Sequence, residues 1–294
     1  MKVLYDEIKK CRVCGSKDLL TVISLGDQYF SDFLDEKDQF KGNEKTPLDL
    51  VICGNEKCRL LQTKHTVSRS ALFTENYWFR SSVNESLIEG LFDISRVVQK
   101  KINIEENDYI LDIGCNDGTL LRSFSSGKKV GFEPATNIAG DAKEGTEKII
   151  NDFFSYEAFS EAFPNTKCKS ITSIAMFYDL EDPNKFVGDI AKCLDEDGIW
   201  TIQMAYLKTD IDKNGFDNIV HEHLEYYSLY SLEHLLSRHN FEVFDLELND
   251  LYGGSIRTYI KHKNSSKFAI ENSVLDLRNQ EIKDKFSEVQ TYLD

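Results

Sequence analysis

The sequence predicts an α/β protein: a doubly wound parallel sheet, preceded by a small cysteine-bearing domain and followed by a partial C-terminal α/β region. Three observations carry that prediction. Apolar strand-like runs alternate with helix-like segments between residues 85 and 207. A glycine loop, "LDIGCNDGTLL" (111–121), falls where a strand gives way to a helix. Four of the seven cysteines sit in the first 66 residues as two short-spaced pairs.

The elements follow in order. In "ESLIEGLFDISRVVQKKI" (85–102), Leu87, Leu91, Ile94, Val98 and Ile102 recur at helical spacing. "YILDIG" (109–114) is an apolar run ending in glycine, and "GTLLRSF" starts a helix. "KVGFEP" (129–134), "KIINDFF" (148–154), "SITSIAMFY" (170–178) and "GIWTIQMAYL" (198–207) read as further strands, with an amphipathic helix at "PNKFVGDIAKCL" (183–194). This rhythm implies a parallel sheet with helices on both faces. It stops near residue 208. Beyond lie a helix at 228–240, strands "FEVFDLEL" and "SIRTYIKH" joined by the turn "NDLYGGS", and a charged stretch read as a solvated helix face. The expected division is a zinc-binding domain at 1–66, a cofactor-binding core at 67–207 and a partial substrate region at 208–294.

Bulk properties narrow the function. A formal net charge of −15 argues against a general nucleic-acid binder, whose affinity rests on Lys and Arg pairing with phosphates. No apolar run approaches the roughly 18 residues that cross a bilayer. The start, "MKVLYDEIKKCRVCG", lacks an apolar signal core, so the expectation is a cytoplasmic protein with reduced cysteines and no membrane partner. Metal ligation or burial then accounts for the cysteines better than disulfides do.

"CRVC" supplies Cys11 and Cys14, and "CGNEKC" supplies Cys53 and Cys58. Two such pairs about 40 residues apart fit a four-thiolate Zn²⁺ site, structural because no coordination position stays open. Cys115, Cys168 and Cys193 lack such spacing and are expected in the core.

The glycine loop follows Asp112, and Gly114 and Gly118 let the backbone turn tightly against a ligand. Glu133, before Pro134, ends the next strand 19 residues after Gly114, where an acid can accept hydrogen bonds from both ribose hydroxyls of an adenosine cofactor. Dinucleotide sites favour a middle glycine that makes room for pyrophosphate. Here Asn116 and the acid Asp117 take that stretch. A carboxylate repels pyrophosphate and attracts the cationic end of S-adenosylmethionine, so S-adenosylmethionine is favoured over NAD. Asp152 and Phe153 are candidates for holding the adenine.

Taken in order, "CRVC…CGNEKC", "YWFRSS" (77–82), "LDIGCNDGTLL", "GFEPA", "FDNIVHEHLEYYSL" and "YGGSIRTY" resemble the sugar C-methyltransferases that modify nucleotide-linked keto-deoxysugars. The resemblance runs over nearly the whole chain. It implies a class I methyltransferase core, an N-terminal zinc domain and a small-molecule substrate, a nucleotide-linked sugar, held between zinc, central and C-terminal parts. Relatives run longer, and this chain ends in what reads as a connecting helix. Val220 stands where relatives often carry Tyr, and Asp179 where they often carry His.

Carbon methylation beside a ketone needs a base, a stabilised enolate and a carbon in line with the methyl donor. By resemblance His223 is the base, Glu222 orients it and His221 is the alternate. Tyr77, Tyr226 or Tyr227 would hydrogen-bond the enolate oxygen or the sugar. Arg80, Ser81 and Ser82 belong to the expected substrate site. Arg257 fits either a substrate phosphate or a structural salt bridge. Two other readings stay open: methyl transfer to oxygen or nitrogen of a saccharide or small metabolite, and a truncated module that binds cofactor without turnover.

Overall fold

The computed structural model describes residues 5–29, 45–73 and 77–293, so part of the expected zinc-binding domain (1–4 and 30–44) lies outside the described residues. The N-terminal region contributes β1 (Tyr5–Glu7), β2 (Leu19–Gln28), β3 (Thr46–Cys53), β4 (Leu61–Thr63) and β5 (His65–Val67). Helices α1 (Arg69–Phe73) and α2 (Glu85–Lys101) lead into the core. Asn84 starts α2 by accepting the backbone N–H groups of Ser86 and Leu87, and Lys100 and Lys101 sit at its C-terminal end, as the helix dipole favours.

The core strands are β6 (Tyr109–Ile113), β7 (Lys128–Phe132), β8 (Lys148–Ile150), β9 (Cys168–Ile174) and β10 (Leu194–Ala205). Between them run α3 (Thr119–Ser123), α4 (Tyr156–Ala162) and α5 (Pro183–Cys193), with α6 (Leu207–Lys213) following β10. Asp182 caps α5 on the Lys185 N–H, and Pro183 opens its first turn. Then come β11 (Glu225–Tyr226), α7 (Leu229–Ser237), β12 (Phe241–Asn249), β13 (Ser255–His262) and α8 (Asn272–Lys283).

Among the described residues, seven strands form one sheet in the order β12-β13-β10-β9-β6-β7-β8. The run from β10 to β8 is parallel, and β13 joins it antiparallel. Strand alternation sorts the core onto two faces. Ile110 and Ile199 pack with Leu91, Ile94 and Val98 of α2. Their neighbours Leu111 and Trp200 pack on the other face with Phe186 and Ile190 of α5.

This topology corrects the expected boundary at 207/208. Strands β12 and β13, at 241–262, complete the same sheet as the cofactor core and are not a separate unit. A second departure is β11, which joins the N-terminal sheet in the order β11-β4-β3-β2. The H-E-H segment is therefore tied to the cysteine-bearing region. Two strands stop sooner than their apolar runs: β8 ends at Ile150, and β9 ends before Ala175, whose φ of +52° turns the chain. The charged C-terminal stretch is not wholly solvated. Glu281 is 3 % exposed and accepts from the Tyr206 hydroxyl (2.6 Å) and the N–H groups of Leu229 (2.7 Å) and Tyr230 (2.8 Å), capping α7.

Candidate active site

The site grows from the C-terminal ends of β6, β7 and β9, the position at which open α/β sheets bind ligands. After β6 the chain turns through Gly114 (φ +70°), Asn116 (φ +51°) and Gly118 (φ +78°). A side chain at Gly114 would meet Met176 Cγ at 3.3 Å, and one at Gly118 would meet the Ala142 backbone at 3.0 Å. Glu133 stands at the end of β7, 4 % exposed. One carboxylate oxygen accepts the Asn116 N–H (2.7 Å) and the other the Ala135 N–H (2.8 Å). Burial raises its pKa, and the two N–H groups oppose the rise. The Asn151 side chain, which the sequence reading missed, donates to the Glu133 carbonyl (2.7 Å) and fixes the turn. Asp112 accepts from the Thr172 hydroxyl (2.6 Å), and burial pushes its pKa up to about 7.

These residues line a cavity that encloses about 1080 Å³ of empty space, its open mouth included. Among the described residues four acids line it, Asp112, Glu133, Asp152 and Asp179, against one cation, Arg69. Gly114, Asn116 and Pro134 line it as well, and Phe153 holds the Arg69 guanidinium 4.2 Å from its ring centre. An acid-lined cavity suits a cationic ligand, and the glycine turn with its ribose-type acid suits an adenosyl group, so S-adenosylmethionine fits the residues present.

Asn116 and Asp117 do different work from that expected. The Asn116 side chain accepts the Ser81 N–H (2.9 Å) and donates to the Phe79 carbonyl (3.0 Å). Asp117 is spent on the Thr119 hydroxyl (2.6 Å) and the Ser82 N–H (2.9 Å), and it does not line the cavity. The pair clamps the 79–82 segment over the loop, and the acids that face the cavity lie elsewhere. Ser81 lines the cavity, whereas Ser82 acts only through this backbone tie.

Tyr77, Asp179 and Tyr252 also line the cavity. Burial raises the Tyr77 hydroxyl, with the charges of Asp179 and Glu222 adding to it. Asp179 Oδ1 is sealed from solvent with no hydrogen-bond partner among the described residues. Burial, then the charges of Glu222 and Glu225, drives the Asp179 carboxyl well above the usual range. Tyr252, in the "LYGGS" turn at φ +54°, was missed as a site residue; burial and then Asp112 push its hydroxyl up to about 12. Its place in the "YGGS" motif was the available signal.

The H-E-H residues part ways. His223 places its ring 4.3 Å from that of Tyr178, and its Nδ1 lies 2.9 Å from the Asn218 carbonyl. A carbonyl only accepts, so Nδ1 carries the hydrogen and Nε2 keeps the lone pair. Burial lowers the pKa to about 4, which keeps the ring neutral. Glu222 lies near enough to Tyr77 and Asp179 for its charge to act on both, His223 packs on Tyr178, and neither His223 nor Glu222 lines the cavity itself. His221 is 2 % exposed and bonds the Thr46 carbonyl through Nε2 (3.1 Å), so it pins the segment to β3 and is not available as a base.

Several expected substrate contacts are taken up inside the fold. The Tyr226 hydroxyl donates to the Asn218 carbonyl (3.1 Å), and Tyr227 is buried against Phe177. Arg257, 2 % exposed, is held by Gln203 (2.7 Å) and Asp93 (2.8 Å), the salt-bridge alternative. The Arg80 guanidinium is engaged by Asp141 and the Asn137 carbonyl.

The four N-terminal cysteines converge. All four Sγ atoms lie within 4.8 Å of one another, with Cys11–Cys58 at 3.7 Å and Cys14–Cys53 at 3.4 Å. Thiolates on a tetrahedral zinc at 2.3 Å stand about 3.8 Å apart, so Zn²⁺ fits this set. Cys115, Cys168 and Cys193 are buried in the core.

A family model described as a methyltransferase domain matches residues 86–246, and one described as a zinc binding domain matches residues 11–73. The chain belongs to this methyltransferase family, and its N-terminal region carries the zinc-binding match. It is 30% identical over 260 residues to the C-methyltransferase NovU of Streptomyces niveus, covering 87% of this chain and 61% of that protein. The chain thus spans less than two thirds of the length of this relative. Among solved structures it is similar to magnesium protoporphyrin IX methyltransferase from Synechocystis PCC 6803 (12% identity, 62% of this chain and 90% of that one, TM-score 0.46). It is likewise similar to an S-adenosylmethionine-dependent methyltransferase from Clostridium acetobutylicum ATCC 824 (13%, 61% and 92%, TM-score 0.45). Among the described residues no helix is long and apolar enough to cross a membrane.

Proposed function

We propose that the protein methylates a carbon next to the ketone of a nucleotide-linked keto-deoxysugar. The observation that carries this reading is a neutral histidine of defined tautomer, His223, packed on Tyr178, whose chain neighbour Asp179 lines the acid-lined cavity. The 30% identity to a C-methyltransferase supports the carbon chemistry.

S-adenosylmethionine supplies a methyl group on a sulfonium centre. In this reading Glu133 accepts the ribose hydroxyls, Asp152 and Phe153 hold the adenine, and Asp112 faces the cationic end. The substrate sits between that cavity and the H-E-H segment. His223 Nε2 takes the proton from the carbon beside the carbonyl, and Glu222 stabilises the imidazolium that results. Tyr77 and Tyr252, which line the cavity, hydrogen-bond the enolate oxygen.

The test is deuterium exchange. A keto-deoxysugar nucleotide incubated in D₂O without cofactor should exchange the hydrogen beside the ketone, seen by NMR, and His223→Asn should stop it. No exchange with a substrate that is methylated would remove carbon chemistry. It would favour transfer to a hydroxyl, the alternative in which Asp179, an acid lining the cavity, receives the hydroxyl.

A further inference from the structure

The zinc knuckle and the H-E-H segment lie about 210 residues apart in sequence, yet one side chain joins them. Arg12 sits between Cys11 and Cys14 with its side chain 3 % exposed. Its guanidinium donates to the Thr63 carbonyl (2.7 Å), the Thr66 hydroxyl (2.6 Å) and the Leu224 carbonyl (3.4 Å). Its Nε lies 3.8 Å from Glu225, whose side chain is fully buried. Leu224 directly follows His223, and its own N–H donates to the Tyr178 carbonyl (2.8 Å), on the residue whose ring faces His223. A buried, multidentate guanidinium fixes geometry because its donors are planar and cannot rearrange one at a time.

We propose that Arg12 is a positioning residue for the His221–His223 segment, transmitting the order of the zinc centre to one side of the active site. The role in catalysis rests on the reading of His223 above. The clamp itself does not. Metal loss then loosens two places at once: the knuckle, which loses its ligand, and the 220–226 segment, which loses its anchor. The glycine loop and Glu133 are built on β6 and β7 and keep their order.

Hydrogen exchange with mass spectrometry on the zinc-loaded protein tests this. Arg12→Met should retain one zinc per chain and bind S-adenosylhomocysteine within about twofold of wild type, while amides at 220–226 exchange at least about tenfold faster. Arg12→Lys should restore part of that protection. If Arg12→Met does not fold, chelation of wild type gives the same signature: lost protection at 220–226 with S-adenosylhomocysteine binding kept. Unchanged protection at 220–226 would overturn the clamp, as would equal loss across the glycine loop. Faster exchange with unaltered methyl transfer would overturn the positioning role. His223→Asn tests the catalytic reading on a different variant, so the two failures remain distinguishable.

Discussion

Glu133→Gln isolates the cofactor assignment in one atom. Glu133 is 4 % exposed, and each carboxylate oxygen already accepts one backbone N–H, from Asn116 at 2.7 Å and Ala135 at 2.8 Å. A carboxylate oxygen has capacity for a second donor, which leaves one place per oxygen for a ribose hydroxyl. Glutamine keeps one acceptor and turns an NH₂ group toward the other N–H. The stranded donor costs about 1–3 kcal/mol of stability. At about 2–4 °C per kcal/mol for a domain of this size, melting should fall by several degrees. Binding loses one hydrogen bond to a charged acceptor, about 1.5–3 kcal/mol, or roughly ten- to hundredfold in the S-adenosylhomocysteine dissociation constant. Glu133→Ala loses both hydroxyl contacts and should weaken binding by about a further order of magnitude. Calorimetric titration of the folded variants reads the effect. A folded Glu133→Gln protein that binds S-adenosylhomocysteine within twofold of wild type would refute the reasoning, because the ribose would then not be held by this acid.

Gly114→Ala places a side chain at φ +70° and 3.3 Å from Met176 Cγ, so it should cost about 1 kcal/mol or more in denaturant unfolding and weaken S-adenosylhomocysteine binding. If His223 is the base, the acid limb of the kcat profile should have its midpoint near pH 4, not near the ordinary 6.5. Its lowered folded pKa means the unfolded chain binds more protons between those values, so stability should fall by up to about 3 kcal/mol as pH drops from 6.5 to 4, and His223→Asn should flatten that part of the curve. A chromogenic chelator should release one zinc per chain, and Cys58→Ser should lower the zinc content and the melting temperature together.

The parallel core was legible because its signals are local. A strand buried on both faces reads as a mostly apolar run, as 109–113 does, and a tight turn against a ligand must place glycine, as 114 and 118 do. The zinc set was legible from spacing alone, since Cys11–Cys14 and Cys53–Cys58 each have to reach one ion from one turn. The acid at 133 was legible from its place at the end of the next strand-like run, 19 residues after Gly114. Helix 183–193 was legible from its amphipathic spacing.

Partnership was not legible. Arg257 read equally as a phosphate ligand or an ion-pair member, and Arg80 as part of a substrate site, until Asp93, Gln203 and Asp141 came into contact with them. Tyr226, Tyr227 and His221 look like site residues in "VHEHLEYY", and only burial against β3, β4 and Phe177 separates them from His223. Asp117 carries the right charge in the right loop, yet its side chain is turned to Ser82 and Thr119. The C-terminal strands were assigned to a separate region because antiparallel addition of β13 to β10 leaves no mark in either sequence. Local conformation is set by each residue's own sterics and polarity, and the sequence by itself determined that much here: strands, turns, knuckles and the chemical kind of each site group. Which of those groups meet a ligand depends on which neighbours reach them first, and that is a property of three-dimensional packing among segments as distant as Arg12 and Glu225.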